Sequence, residues 1–168
     1  MHEASAIHDA FKRGDLAALK ALLGDPPDFP NCRGPAGVGE LILEYAIYHS
    51  PLPFIRTLLE RGANPNYEDH AGFPSSIAAL SSGRADRYEI ARLLLAFGAD
   101  IQARGLNDWT PLHYAAANDD LDGVRLLLAH GADPNARTRI DALATPLEEA
   151  LHLGRAAAVR LLRDLVPS

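Results

Sequence analysis

Cysteine and long apolar runs are nearly absent from this chain. Cys32 is the only cysteine among 168 residues, so an internal disulfide is impossible and a zinc site built on paired cysteines is excluded. No stretch reaches about eighteen consecutive apolar residues, and residues 1–15 lack a positively charged start followed by an apolar segment. These absences predict a soluble, cytoplasmic chain that neither crosses nor binds a membrane.

Lysine is also scarce, because Lys12 and Lys20 are the only two and arginine supplies the remaining cations. The 16 basic residues are outnumbered by 22 acidic ones, which gives a formal net charge of −6. This balance opposes attraction to phosphate backbones, so nucleic acid is not expected as a partner. The preference for arginine and alanine is typical of GC-rich bacterial genomes and favours a bacterial origin.

Catalytic and metal-binding motifs are missing as well. No two histidines stand four residues apart, and no Gly-x-Ser-x-Gly sequence is present. The glycine-rich stretch 34–39 lacks the lysine of a phosphate-binding loop, and Cys32 has no neighbouring histidine. The sequence therefore predicts no catalytic residue, cofactor or metal. An enzyme that uses His70 with Glu68 or Asp69 stays open as an alternative.

Residues 110–136 contain the pattern that the rest of the chain repeats. Thr110 can cap a helix and Pro111 suits its first turn, so a helix is predicted from there to about Ala117. A second helix should follow and end at Gly131, since glycine readily adopts the left-handed conformation that closes a last turn. Its inward face is predicted to contain Leu121, Val124, Leu127 and Leu128.

Alanines of the first helices mark the repeat, with separations of 36, 32, 37 and 35 residues. In four units the leucine pair of the second helix follows after twelve residues, but in the third unit it follows after sixteen. The extra residues lie within the segment 81–88 and should bulge between two helices. The marker alanines are Ala10, Ala46, Ala78, Ala115 and Ala150.

Residues 110–136 resemble the ankyrin repeat. The matching residues are Thr-Pro-Leu-His at 110–113, the alanine pair 115–116, Leu127-Leu128, Gly131-Ala132-Asp133 and Asn135. This resemblance implies an all-α solenoid of about five helix-turn-helix units, with short β-turn or hairpin fingers and atypical terminal caps. The chain 1–168 would be a single domain. The predicted units are 5–38, 39–72, 73–109, 110–144 and 145–166.

Particular positions of the motif carry further expectations. His113 and His8 occupy the histidine position of the motif, where the resemblance implies bonds to threonine and backbone groups. Glu148 is expected to reach back to its helix cap, as in a capping box. The proline- and glycine-rich segment 24–39 is interpreted as one irregular finger, with a disordered loop as the alternative.

The resemblance also implies a concave face, lined by fingers and first helices, that binds a protein or peptide partner. We expect a monomeric, non-enzymatic interaction module, with an inhibitor or immunity-type protein for a co-encoded target, or a structural assembly subunit, as alternatives. The predicted partner-binding residues are Glu68, Asp69, His70, Phe73, Arg104, Leu106, Asn107, Trp109, Asn118, His130, Arg137 and Arg139.

Two properties of these residues favour a specific partner. Trp109 is the only tryptophan and stands beside Leu106, which is typical of an interface hot spot, although an aromatic residue before Thr-Pro also packs on its neighbour in this family. The finger after Gly62 is acidic and the two later ones are basic, which could orient a partner, with ordinary solvated charges as the alternative.

Overall fold

The computed structural model describes residues 2–34, 41–67, 73–140 and 142–166, with the side chains of all but His2 and Glu3. These ranges contain ten α-helices and no β-strand, which confirms the all-α prediction. The helices are α1 (His2–Arg13), α2 (Leu16–Leu22), α3 (Ile42–His49), α4 (Leu52–Glu60), α5 (Ser75–Ser81), α6 (Arg87–Ala96), α7 (Pro111–Ala117), α8 (Leu121–Ala129), α9 (Pro146–His152) and α10 (Ala156–Leu165).

The helices form two layers. The first helices of the units pack side by side in the order α1, α3, α5, α7 and α9, while α4, α6, α8 and α10 form a second row behind them. Each pair shares its apolar side with its neighbours, so one core runs through the stack. The largest fully buried side chains are Ile7, Phe11, Leu19, Ile42, Ile47, Ile55, Leu58, Ile77, Ile90, Leu94, Leu112 and Leu127.

The second helices of the middle units end in the same way. Gly62, Gly98 and Gly131 have φ of +89°, +89° and +87°, the left-handed region that favours glycine. In each case the next alanine donates its N–H to a leucine carbonyl one turn back, with an N–O distance of 3.0 Å. The predicted stop at Gly131 is therefore confirmed.

The described parts of the fingers contain turns and no paired strands. The only β-type pairing within the described ranges is an isolated bridge between Arg33 and Leu41. Segment 24–39 is described up to Gly34, where Phe29 and Asn31 donate N–H bonds in successive tight turns. The remainder of that predicted finger lies outside the described residues.

Asparagine side chains join neighbouring fingers in the first half. The Asn31 amide donates to the Gly62 carbonyl at 2.9 Å and accepts from the Asn64 N–H at 2.7 Å. Asn66 repeats both bonds with Gly98 and Asp100, at 2.8 and 2.7 Å. These bonds satisfy backbone groups that a turn would otherwise leave to water.

The long connection of the third unit is fixed by one arginine. The Arg84 guanidinium donates to the carbonyls of Ser50 at 2.5 Å and Ile47 at 3.3 Å, near the end of α3 in the preceding unit. It also forms two 2.8 Å bonds to the Asp86 carboxylate, and these bonds lower the pKa of that carboxyl. The insertion between α5 and α6 thus fastens two units together.

An arginine has a comparable role at the other end of the stack. Arg155 is exposed, yet its Nε donates to the carbonyl of Ala117 at 2.6 Å. The Asp119 carboxylate accepts from the Ala158 N–H at 2.7 Å across the same joint. Charge-assisted hydrogen bonds therefore connect the fourth and fifth units.

In the ranges that the structure describes, no helix is long and apolar enough to cross a membrane.

Candidate functional site

The last two fingers meet at Asp108. Its carboxylate accepts from the Arg139 guanidinium at 2.5 Å, from the Arg139 backbone N–H at 2.6 Å, and from Arg104 at 2.9 Å. Its side chain is only 9% exposed, and the hydrogen bonds from Arg139 lower its pKa to about 2. Arg104 and Arg139, both predicted to contact a partner, are therefore engaged in holding the two fingers together.

The backbone before Trp109 has an unusual conformation. Asn107 and Asp108 both have φ of +58°, within a short 3₁₀ turn at Leu106–Asp108. Asparagine and aspartate tolerate this left-handed region better than other residues with side chains. The Gly105 N–H donates to the Trp109 carbonyl at 2.9 Å and closes the finger. The turn leaves Leu106 58% exposed, whereas Trp109 is half-buried.

His113 connects the fourth unit to the following finger. Its Nδ1 lies 2.9 Å from the Thr110 hydroxyl, and its Nε2 lies 2.9 Å from the Ala144 carbonyl. The imidazole is fully buried, and this burial lowers its pKa. The prediction for His113 is confirmed, but that for His8 is wrong. His8 lies in the middle of α1 and bonds the Tyr45 hydroxyl at 2.7 Å.

Arg137 is also paired. Its guanidinium lies 2.9 Å from the Glu148 carboxylate and donates to the Leu143 carbonyl at 2.9 Å. Glu148 completes the predicted capping box by accepting from the Thr145 N–H at 2.8 Å, and that backbone bond lowers its pKa. Every predicted finger cation thus has a carboxylate partner, so the basic character of these fingers is largely compensated.

A groove of about 380 Å³ opens between these fingers and α9. Asn107 and Trp109 line it from the third finger, and Thr138, Ile140 and Ala142 line it from the fourth.

The floor of the groove comes from helix α9. Glu149, His152 and Leu153 line it there. Ile140 and Leu153 are 50% and 42% exposed, so they add apolar surface to a lining that also contains polar side chains. The groove lies where first helices and fingers meet, which is the location that the repeat pattern predicts for the concave face.

These three residues were missing from the predicted site, although the register of the repeat could have found Glu149 and Leu153. Glu149 and Leu153 stand one residue before and three residues after Ala150. Tyr114 and Asn118 occupy the same positions around Ala115. The predicted site contains residues at finger tips and helix ends, and it omits the exposed side of α9, the first helix of the last unit.

The other predicted residues lie elsewhere. Phe73 is half-buried and packs against the core. Asn118 is exposed, but it caps α7 at the end away from the fingers by donating to the Tyr114 carbonyl at 2.8 Å. His130 caps α8, with its Nδ1 2.8 Å from the Leu126 carbonyl. The groove therefore brings together only Asn107 and Trp109 from the predicted set.

Glu68, Asp69 and His70, in the finger after Gly62, lie outside the described residues. So does the alternative active site that was predicted there. Where side chains are described, no group of three or more His, Cys, Asp or Glu is arranged to hold a metal ion. Cys32 is buried, and burial followed by the nearby Asp28 charge raises the pKa of its thiol.

Two layers of helices, identical glycine caps and regularly spaced fingers define a helical repeat protein. Residues 77–165 match a family model described as "Ankyrin repeats (3 copies)". The chain belongs to the ankyrin repeat family, whose repeats generally mediate protein–protein interaction.

Each of three relatives matches this chain over only a small part of the relative's own length. It is 34% identical over 93 residues to alpha-latrocrustotoxin-Lt1a and 36% identical over 110 residues to alpha-latroinsectotoxin-Lt1a, both of Latrodectus tredecimguttatus. It is 36% identical over 100 residues to a Caenorhabditis elegans protein whose name proposes a glutaminase. The matches cover 55%, 64% and 59% of this chain, but only 6%, 8% and 16% of the relatives.

Proposed function

We propose that this chain is a non-enzymatic module that binds a protein or peptide segment in the groove between its last two fingers and α9. The observation that carries the proposal is the apolar wall formed by Ile140, Leu153 and Trp109 on a fixed frame. Partly exposed aromatic and aliphatic side chains in a pocket are the usual centres of binding energy in interfaces.

The frame supports this function because hydrogen bonds hold the described residues of the last two fingers in place. Asp108 and His113 fix the two fingers to each other and to the helices, so little chain entropy is lost when a partner docks. Arg104 and Arg139 contribute here by positioning Asp108. Their substitution would therefore disturb the frame and is a poor probe of direct contact.

The test compares groove variants with a matched surface variant. A partner captured from the source cell on immobilised full-length protein is titrated by calorimetry against wild type, Trp109→Ala and Ile140→Ser. Leu165→Ser is the control, because Leu165 is 49% exposed on α10 and does not line the groove. We expect at least about tenfold weaker binding for both groove variants and less than about twofold change for the control.

Equal affinity of all four folded proteins would show that the groove is not the binding face. Circular dichroism and thermal unfolding of each variant would establish that the fold is intact.

A further inference from the structure

Glu149 is the one carboxylate among the described residues that line the groove, and no lysine or arginine lines it. Its side chain makes no hydrogen bond or ion pair with any residue that the structure describes. The neighbouring carboxylates differ in this respect, because Asp108 is bound by two arginines and Glu148 by Arg137. The Glu149 carboxylate therefore has no bonded partner among the described residues, and Trp109, Ile140 and Leu153 add apolar surface to the same groove.

We propose that the groove selects a peptide segment in which a lysine or arginine stands beside a bulky apolar residue, with the cation paired to Glu149. This inference rests on the proposed binding function of the groove and adds the chemistry of the partner. A carboxylate flanked by apolar walls is less screened than one in open water, so an ion pair there is strengthened.

The remaining lining fits the same ligand. The long aliphatic stem of lysine or arginine can lie along Ile140 while its charged end reaches Glu149, and the Trp109 ring adds a cation–π contact. Leu153 offers a second apolar surface for the adjacent side chain. The exposed Asn107 amide also has no partner among the described residues and matches the N–H and C=O groups of a peptide backbone.

Charge disfavours the opposite ligand. The guanidinium groups of Arg137 and Arg139, on the finger that supplies Thr138 and Ile140 to the groove, already bind Glu148 and Asp108. An acidic peptide would thus meet the Glu149 carboxylate without a lysine or arginine in the described lining to offset it.

The first experiment presents a displayed library of random linear peptides to the full-length protein and, in parallel, to Trp109→Ala, Ile140→Ser and Glu149→Gln. We expect wild type to enrich peptides with Lys or Arg next to Leu, Ile, Val or an aromatic residue. Glu149→Gln should keep the apolar preference and lose the cationic one. Glutamine preserves the size of the side chain and suits the first turn of α9, so the fold should be retained.

The second experiment titrates one enriched peptide by calorimetry. Affinity should fall about tenfold for Glu149→Gln, and a peptide whose cation is replaced by norleucine should bind both proteins equally weakly. Glu60→Gln makes the same change in net charge at an exposed site on α4 and should alter affinity less than about twofold.

The outcomes separate the two proposals. Enrichment that depends on Trp109 and Ile140 but shows no cationic preference, or that Glu149→Gln leaves unchanged, would overturn the inference about the ligand and leave the groove as the binding face. Peptide enrichment that none of the groove substitutions affects would overturn both proposals.

Discussion

The first half of the stack joins its fingers with asparagine amides, whereas the last two fingers are joined by the Asp108 carboxylate and the Arg139 guanidinium. Asn66 bonds two backbone groups of the next finger with neutral partners. Asp108 instead accepts charged hydrogen bonds from Arg104 and Arg139. The neutral join should be insensitive to salt and acid, while the charged one should respond to both.

Gln102 accounts for the absence of an asparagine-type bond between the third and fourth fingers. Gln102 stands four residues after Gly98, the position that Asn66 occupies after Gly62. Its Oε1 atom is buried and makes no hydrogen bond within the described part of the chain. Since the longer side chain does not form the asparagine-type join, Asp108 supplies a different one beside the groove.

The largest expected effect is on the buried histidine of the second half. His113→Ala should lower the free energy of unfolding by about 3 kcal/mol, because it leaves a cavity and removes a partner from the Ala144 carbonyl. His8→Ala, at the same position of the first unit but only half-buried, should cost about 1 kcal/mol. Urea unfolding followed by circular dichroism measures both, and equal losses would contradict the distinction.

Acid should weaken the same site. Burial lowers the pKa of His113, so the folded protein disfavours the charged imidazole that the unfolded chain forms near its ordinary pKa of about 6.5. The stabilisation is complete above that pH and is lost as pH falls below it. Wild type should therefore lose more stability than His113→Ala when the pH is lowered from neutral to about 5.

A smaller effect distinguishes the two joins directly. Asp108→Ala should cost about 2 kcal/mol at low salt and less in concentrated salt, whereas Asn66→Ala should cost about 1 kcal/mol at either ionic strength. Because the folded pKa of Asp108 is about 2, its contribution is present above about pH 4 and disappears as pH falls towards 2. Thermal unfolding across salt and pH tests this, and identical salt responses would count against a charged join.

The smallest effect is expected for a substitution that gives the third finger the asparagine found in the second. Gln102→Asn should stabilise the protein by about 0.5 kcal/mol, because asparagine at this position can reach the backbone of the next finger as Asn66 does. The comparison is with Gln102→Ala, which removes the buried amide without adding a bond. A gain no larger than that of Gln102→Ala would indicate that the third and fourth fingers are too far apart for such a bond.

Much of the fold was predictable because its determinants are local. Thr110 and Thr145 cap helices through residues three positions away, and Gly131 ends one through its own conformation. The helix α5 was harder to predict, since Pro74 precedes it and no side chain caps it. The helix is instead stabilised by its packing against α3 on one side and α7 on the other.

The site was only partly predictable because it depends on contacts between distant residues. Nothing local to Arg139 indicates that Asp108, 31 positions earlier, binds it. The pairing depends on the left-handed backbone at Asn107 and Asp108, which the sequence signals only weakly. Glu149, in contrast, could be predicted from the sequence, because it precedes Ala150 as Tyr114 precedes Ala115.

The two arginines that reach back across unit boundaries have a mechanical consequence. Arg84 and Arg155 each clasp a carbonyl near the end of a first helix in the preceding unit, on the side opposite the fingers. Separating the units on this side would stretch both hydrogen bonds, so bending of the stack toward its fingers is expected to be resisted. The width of the groove would therefore be set before a ligand binds.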